Sequence, residues 1–281
     1  MGIMAPKTVP ALIKKYNIRA NKKLGQNFLK DSDVMDRLID PLNLYPDEDV
    51  LEIGPGLGVI TEKLSRQVLE VIAIEKDKKM LEVAQKEFAE RKNIRFIEGD
   101  FTKLDLSTLL KPFHLPIKVF GNIPYYVSST ILFQLIENHP LFQCAVLTLQ
   151  KEVANRLTAS PGNKDYGILT ILSQPYAVCE KLFDIEPGSF LPPPEVTSTA
   201  VKITFLKTSP YVIHKPKLFT KIVKTAFQQR RKTVRNALKV FLKNGRIKPW
   251  EVCYINPDER PECLTVKQYV DLANYLDTVL K

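Results

Sequence analysis

Asn122-Ile123-Pro124-Tyr125 closes an apolar run, Ile117-Lys118-Val119-Phe120, and stands 64 residues beyond a glycine turn, Gly54-Pro55-Gly56-Leu57-Gly58. A side-chain amide and a neighbouring backbone carbonyl accept hydrogen bonds from an exocyclic amino group, and an adjacent tyrosine offers a ring for a base to stack on. Together the two motifs read as a site for methylating an amine, with adenine the expected target. Adenine N6 is a weak nucleophile because its lone pair is delocalised into the ring. Held by the Asn122 side-chain oxygen and the Ile123 carbonyl, it can pyramidalise without a strong base, and the barrier falls mainly through positioning for in-line displacement at a sulfonium methyl. Tyr125 is expected against one face of the extruded base, and Phe190, beside Pro192-Pro193-Pro194, against the other. A tyrosine taken alone is as readily a packed core aromatic; its place beside Asn122 and Pro124 favours the base.

Glu52-Ile53-Gly54-Pro55-Gly56-Leu57-Gly58 follows an apolar run and leads into a helical pattern, so Gly54 and Gly56 let the backbone approach a ligand closely. The spacing is GxGxG, whereas a dinucleotide site prefers GxGxxG with a pyrophosphate on the helix N-terminus. With no Walker lysine or arginine nearby, the carboxypropyl group of S-adenosylmethionine fits better than a diphosphate. Glu75 lies 19 residues after Gly56, where a carboxylate accepts both hydroxyls of a ribose, and Asp100 ends the next run, facing an adenine amino group. An acid at Glu75 serves NAD as well, and each acid alone is equally a strand-end turn residue. An NAD reading would need an acid–base pair downstream, and none is evident.

These residues need a scaffold that brings strand ends together. Between Asp49 and Gln150 short apolar runs at 50–53, 71–74, 94–97, 117–120 and 145–149 alternate with helical stretches such as Lys76–Arg91 and Ser129–Asn138, with Ser128 expected to cap the latter. The alternation predicts a doubly wound parallel sheet, whose ligand crevice lies at the carboxyl ends of the strands. A helix is expected over Gln150–Ala159, then extended segments at Val178–Ile185 and Thr199–Leu206, and a boundary in the polar stretch Lys207–Pro216. From Lys217 to Asn244 apolar residues recur at helical spacing up to Gly245, a C-cap candidate, while Lys217, Lys221, Lys224, Arg231 and Arg235 fall on another face as a cationic stripe. The expected domains are a basic N-terminal arm at 1–30, a cofactor-binding catalytic domain at 31–206 and a helical RNA-binding domain at 207–281.

Charge supports that division. Residues 1–30 carry seven Lys or Arg and no acid, and residues 196–250 carry fourteen with none; the rest of the chain holds 20 basic and 31 acidic residues. Two cationic blocks flanking an acidic body suit a phosphate backbone, bound partly through counterion release, although a solvated basic helix has the same composition. Lys22, Lys23, Lys221, Lys224, Arg230, Arg231, Lys232 and Arg235 are the candidate RNA contacts. Cys144, Cys179, Cys253 and Cys263 form no CxxC pair and are expected as buried thiols; with three scattered histidines they predict no metal. No apolar run approaches the roughly 20 residues of a membrane span, and the first thirty residues do not read as a secretion signal, so a cytoplasmic location with no membrane is expected.

The chain resembles the rRNA adenine N6,N6-dimethyltransferase family, of the bacterial type that acts on small-subunit rRNA. The resemblance is carried by 23–29 (KLGQNFL), Glu52–Gly58, Glu75, Gly99-Asp100, Asn122–Tyr125, 150–153 (QKEV), Phe190–Ser198 and 227–238 (FQQRRKTVRNAL). It implies a Rossmann-like α/β fold of the class I S-adenosylmethionine-dependent methyltransferases with a small C-terminal α-helical domain. It implies too that Asn27 and Leu29 cover the cofactor, Gly54 contacts its methionine part, Glu75 and Asp100 hold its adenosine, and Asn122 serves donor pocket and target amine. The implied substrate is a pair of adjacent adenosines in a hairpin loop near the 3′ end of 16S rRNA, in the immature small ribosomal subunit. No obligate protein partner is evident. Three alternatives stand beside this one: a large-subunit rRNA methyltransferase, a non-catalytic nucleic-acid-binding factor of the same fold, and a DNA adenine methyltransferase. The 227–238 run argues against the first and third, and intact Asn122, Pro124, Tyr125, Glu75 and Asp100 against the second.

Overall fold

The computed structural model describes residues 7–21, 25–242 and 247–279. The chain runs through α1 (Val9–Lys15), β1 (Phe28–Leu29), α2 (Ser32–Ile39), β2 (Asp49–Ile53), α3 (Val59–Ser65), β3 (Glu70–Glu75), α4 (Lys78–Glu87), β4 (Ile94–Glu98), α5 (Leu106–Leu109), β5 (Ile117–Asn122), α6 (Ser128–Glu137) and β6 (Phe142–Gln150). It continues with α7 (Lys151–Leu157), α8 (Ile168–Ser173), β7 (Ala177–Ile185), β8 (Phe190–Leu191) and β9 (Ser198–Phe205), then α9 (Pro216–Gln228), α10 (Val234–Ala237) and α11 (Val266–Val279).

Two compact units result. The first runs through Ala154 and takes in Cys179–Phe205. Its seven-stranded sheet has the order β4-β3-β2-β5-β6-β9-β7. The pairs β3–β4, β2–β3, β2–β5 and β5–β6 are parallel, and β9 joins β6 antiparallel. Every residue of β2 is buried, as expected of a strand covered on both faces by helices. Aspartates start several helices by accepting orphan N–H groups: Asp31 for α2, Asp77 for α4 and Asp105 for α5. Ser128 does not cap α6; it is the first helical residue, and its hydroxyl donates instead to the Pro124 carbonyl at 3.2 Å.

The second unit comprises Asn155–Val178 and the chain from Leu206 onward, so the segment 155–178, expected within the catalytic domain, groups with the C-terminal helices. Here α9 buries Phe219, Ile222, Val223 and Ala226, and the Phe227 ring lies 6.3 Å from Tyr269 of α11. The single helix expected over Lys217–Asn244 is broken. After α9 stops at Gln228, Thr233 is extended, and α10 is a separate short helix whose first N–H groups donate to Glu259 and Pro257 carbonyls. The cationic stripe is correspondingly divided: Lys217, Lys221 and Lys224 share α9, Arg231 lies in the turn beyond it, and Arg235 sits on α10. Gly245 and the end of the expected helix lie outside the described residues. The thiols differ from expectation as well, since Cys144 and Cys253 are buried but Cys263 is exposed and Cys179 half-buried.

Candidate active site

The sheet reverses its winding between β2 and β5. From β2 the chain adds β3 and β4 on one side, then crosses to place β5 on the other, which opens a crevice beyond the carboxyl ends of β2 and β5. Both sequence motifs occupy that crevice. Ile53 pairs with Gly121, so the glycine turn follows directly from β2 while Asn122 is the last residue of β5. An open cavity here is lined by every residue expected at the cofactor (Asn27, Leu29, Gly54, Gly56, Glu75, Asp100 and Asn122) and by Ile123, Pro124, Tyr125 and Phe190.

Gly58 begins α3 in the left-handed region, at φ 76°, and a Cβ there would come within 2.9 Å of the Phe88 ring. The turn is fastened to the next strand: the Gly56 N–H donates to Glu75 Oε2 at 2.9 Å, and the Asp77 N–H to Oε1 at 2.7 Å. Burial pushes the Glu75 carboxyl above its ordinary range, against the pull of these N–H groups. Between them the two Glu75 oxygens keep acceptor capacity beyond these N–H groups for a ligand. Asp100 accepts from the Thr102 hydroxyl at 2.7 Å and pairs with Lys76 at 2.9 Å; burial opposes its ionisation, but these partners together hold its pKa below the ordinary value.

Glu52, one residue before the end of β2, is 1% exposed, and its Oε2 has no hydrogen-bond partner. Burial raises its pKa to about 8, with the Thr61 hydroxyl opposing and the charge of Glu75 adding. An orphaned buried carboxyl oxygen in the wall of a cavity, with Glu75 and Asp100 along the same strand ends, suits a nucleoside that carries positive charge.

The chain before β1 straps this crevice. Gln26 donates to Asp77 Oδ2 at 2.7 Å and accepts from the Asn21 N–H at 2.9 Å. In β1, Phe28 and Leu29 pair with Leu191 and Phe190, so Phe190 is held at the cavity by an antiparallel register, itself 2% exposed. The Asn122 Nδ2 donates to the Asn27 carbonyl at 3.3 Å, and its Oδ1 accepts from Thr148 at 2.6 Å. Ile123 is buried behind it. Tyr125 is half-buried, with its hydroxyl 2.6 Å from Ser198 Oγ; burial raises its pKa and the Ser198 bond opposes.

Sequence reasoning passed over Lys76, Asp77, Tyr126, Thr148 and Ser198. Asp77 was open to detection, as an Asp before a helical pattern is a cap signal. Thr148 and Ser198 become visible only through strand register.

The candidate RNA contacts differ among themselves. Lys22 and Lys23 lie outside the described residues. In the second unit Arg230 donates to the Lys164 carbonyl at 2.6 Å and lies 3.5 Å from Glu262, Arg235 is 3.3 Å from Asp258, and the Lys221 ammonium sits 5.9 Å over the Phe241 ring. Arg231, Lys232 and Lys224 are exposed. In the basic arm, Lys7 and Lys15 both meet Glu87, joined by the Tyr16 hydroxyl, so part of its charge is neutralised within the first unit.

Residues 17–278 match the model of the family described as "Ribosomal RNA adenine dimethylase". A curated relative from Aliivibrio fischeri, "Ribosomal RNA small subunit methyltransferase A", is 39% identical over 92% of this chain and 94% of its own. Its counterpart from Vibrio cholerae is 38% identical over 94% and 96%. Among solved structures, a dimethyladenosine transferase from Plasmodium falciparum superposes with a TM-score of 0.73 at 27% identity, covering 87% of this chain and 95% of that one.

Proposed function

The chain belongs to the ribosomal RNA adenine dimethylase family, and from that premise we propose that it methylates N6 of two adjacent adenosines in the 3′-terminal hairpin loop of 16S rRNA, during assembly of the small ribosomal subunit. It is an rRNA adenine dimethyltransferase. The observation that carries the finer reading is the meeting of Asn122-Ile123-Pro124-Tyr125 with the glycine turn and Glu75 in one cavity at the switch point of the sheet.

S-adenosylmethionine supplies the methyl group as an activated sulfonium substituent. The residues present fit it: Glu52 and Glu75 offer carboxylate to a cation, Glu75 has acceptor capacity for ribose hydroxyls, Asp100 stands at the adjoining strand end, and Asn27 and Leu29 line the same cavity as the glycine turn. The Asn122 Oδ1 and the Ile123 carbonyl orient the target amine by accepting its hydrogens. Tyr125 and Phe190 stack on the extruded base and keep water from it. Extrusion costs a few kcal/mol and least in a single-stranded loop, which favours a hairpin over a duplex. A second transfer requires that the residues around Asn122 leave space for an amine already bearing one methyl, or that the product rebind.

The partner in this reading is the immature small subunit, gripped through phosphates by exposed cations of the helical unit. Among the described residues no helix is long and apolar enough to cross a membrane, and the reading puts the enzyme in the cytoplasm, with no membrane and no obligate protein partner.

The test is transfer of tritiated methyl from S-adenosylmethionine to immature small subunits, with dimethyladenosine as the product. Asn122→Ala should abolish transfer while RNA still binds. Preferential labelling of large subunits or of duplex DNA would defeat the substrate assignment.

A further inference from the structure

Two tyrosines stand side by side at the end of the Asn122 motif, and the turn that carries them sends their rings apart. Tyr125–Val127 is a single turn of 3₁₀ helix, in which successive side chains diverge by about 120°. Tyr125 turns inward to Ser198. Tyr126 turns outward and is 58% exposed, yet it lines the same cavity.

Exposure of one aromatic is common on protein surfaces and means little alone. Tyr126 is distinguished by its support and its position. Its ring lies against Gly25, close enough that a Cβ there would sit 3.4 Å from it. The backbone beneath it is fixed, because the Pro124 carbonyl accepts both the Val127 N–H and the Ser128 hydroxyl, each at 3.2 Å. The result is a braced aromatic face on the rim of the pocket, one residue from the ring assigned to the target base.

We infer that Tyr126 is a stacking platform for the nucleotide that flanks the target adenosine. The inference rests on the proposed function and extends its site by one nucleotide. A base drawn out of a loop leaves its neighbour without a stacking partner, and an aromatic side chain at the mouth of the pocket replaces that contact whatever the base. With two adjacent adenosines as targets, the occupant of Tyr126 is the second adenosine while the first is in the pocket. The platform also selects against duplexes, because a neighbour that stays paired and stacked cannot reach it.

The experiment compares the full-length protein with Tyr126→Ala and Tyr126→Phe on two substrates. With immature small subunits, Tyr126→Ala should raise KM for the subunit by roughly tenfold, with S-adenosylmethionine affinity by calorimetry unchanged, and Tyr126→Phe should behave as the parent. With a hairpin RNA carrying 2-aminopurine in place of the flanking adenosine, the parent and Tyr126→Phe should quench the probe and Tyr126→Ala should leave it bright. An active Tyr126→Ala enzyme with parental KM and parental quenching overturns the platform alone. A parent enzyme that fails to methylate small subunits removes the underlying reading, and the platform with it.

Discussion

Thr148 and Asn122 stand opposite each other on the parallel strands β6 and β5, and the Thr148 hydroxyl donates to the Asn122 side-chain oxygen at 2.6 Å. The other end of the amide donates to the Asn27 carbonyl at 3.3 Å. A flipped amide would set its oxygen against that carbonyl, so the two contacts together select one orientation. What remains for substrate is one lone pair on Oδ1 and one N–H.

Thr148→Val keeps the shape and removes the donor. Loss of one neutral hydrogen bond, worth about 1 kcal/mol, should lower kcat roughly five- to tenfold while cofactor affinity stays near parental, and Thr148→Ser should restore the rate. Steady-state kinetics decide it: an unchanged kcat in the valine variant would mean that Asn122 holds its orientation without Thr148.

Glu52 supplies a pH dependence. Its folded pKa of about 8 lies above the unfolded value near 4.5, chiefly through burial, so the folded protein without ligand keeps a proton that the unfolded chain releases. Stability from this group is therefore greatest at low pH and falls as pH rises between those values, by at most about 5 kcal/mol; Glu75 is shifted in the same direction. Glu52→Gln should flatten the melting temperature between pH 6 and pH 8. A cation bound beside Glu52 favours the carboxylate, so S-adenosylmethionine binding at pH 7 should release up to about one proton. Calorimetry in buffers of different ionisation enthalpy reads it, and zero release would show that Glu52 stays protonated under the ligand.

The glycine turn makes a prediction about backbone geometry. Gly58→Ala forces an L side chain into the left-handed region and its methyl against Phe88, which should cost about 2–3 kcal/mol. Gly162, at φ 81° with no atom within 4 Å of where a Cβ would stand, should lose only about 1 kcal/mol on the same change. Urea denaturation of the two variants separates steric crowding from conformational strain; equal losses would mean that Phe88 gives way.

The strands and the crevice were legible because they depend on local chemistry. Buried strands are chiefly apolar, as 71–74 is throughout and 117–120 is apart from Lys118, whose buried ammonium pairs with Glu48 at 2.7 Å, and the crevice follows from their order. The break after Gln228 was not legible, because residues 229–233 look helical and are turned by partners far along the chain: the Val234 N–H bonds to Glu259 and that of Arg235 to Pro257. Ser128 misled for a related reason, since a Ser before an apolar run reads as a cap until the Pro124 carbonyl captures its hydroxyl. Register hid Thr148 and Ser198. Neither threonine nor serine at a strand end announces a partner, and only the pairing of β6 with β5 and β9 brings them to the site.

The cations of the second unit separate into two kinds, and salt dependence distinguishes them. Arg230 is engaged by the Lys164 carbonyl and Glu262, whereas Arg231 and Lys232 are exposed in the turn between α9 and α10. A group bound to its own fold contributes stability, and an exposed cation is available to a phosphate. If Arg231 and Lys232 each neutralise one phosphate, Arg231→Gln with Lys232→Gln should reduce the slope of log K against log salt by about 1.4 to 1.8 and leave the melting temperature unchanged. Arg230→Gln should do the reverse, lowering the melting temperature with little change in slope. Binding titrations to immature small subunits at several salt concentrations, alongside thermal melts, read both effects. An unchanged slope in the double variant would move the phosphate grip elsewhere, with exposed Lys217 on α9 the next cation to test.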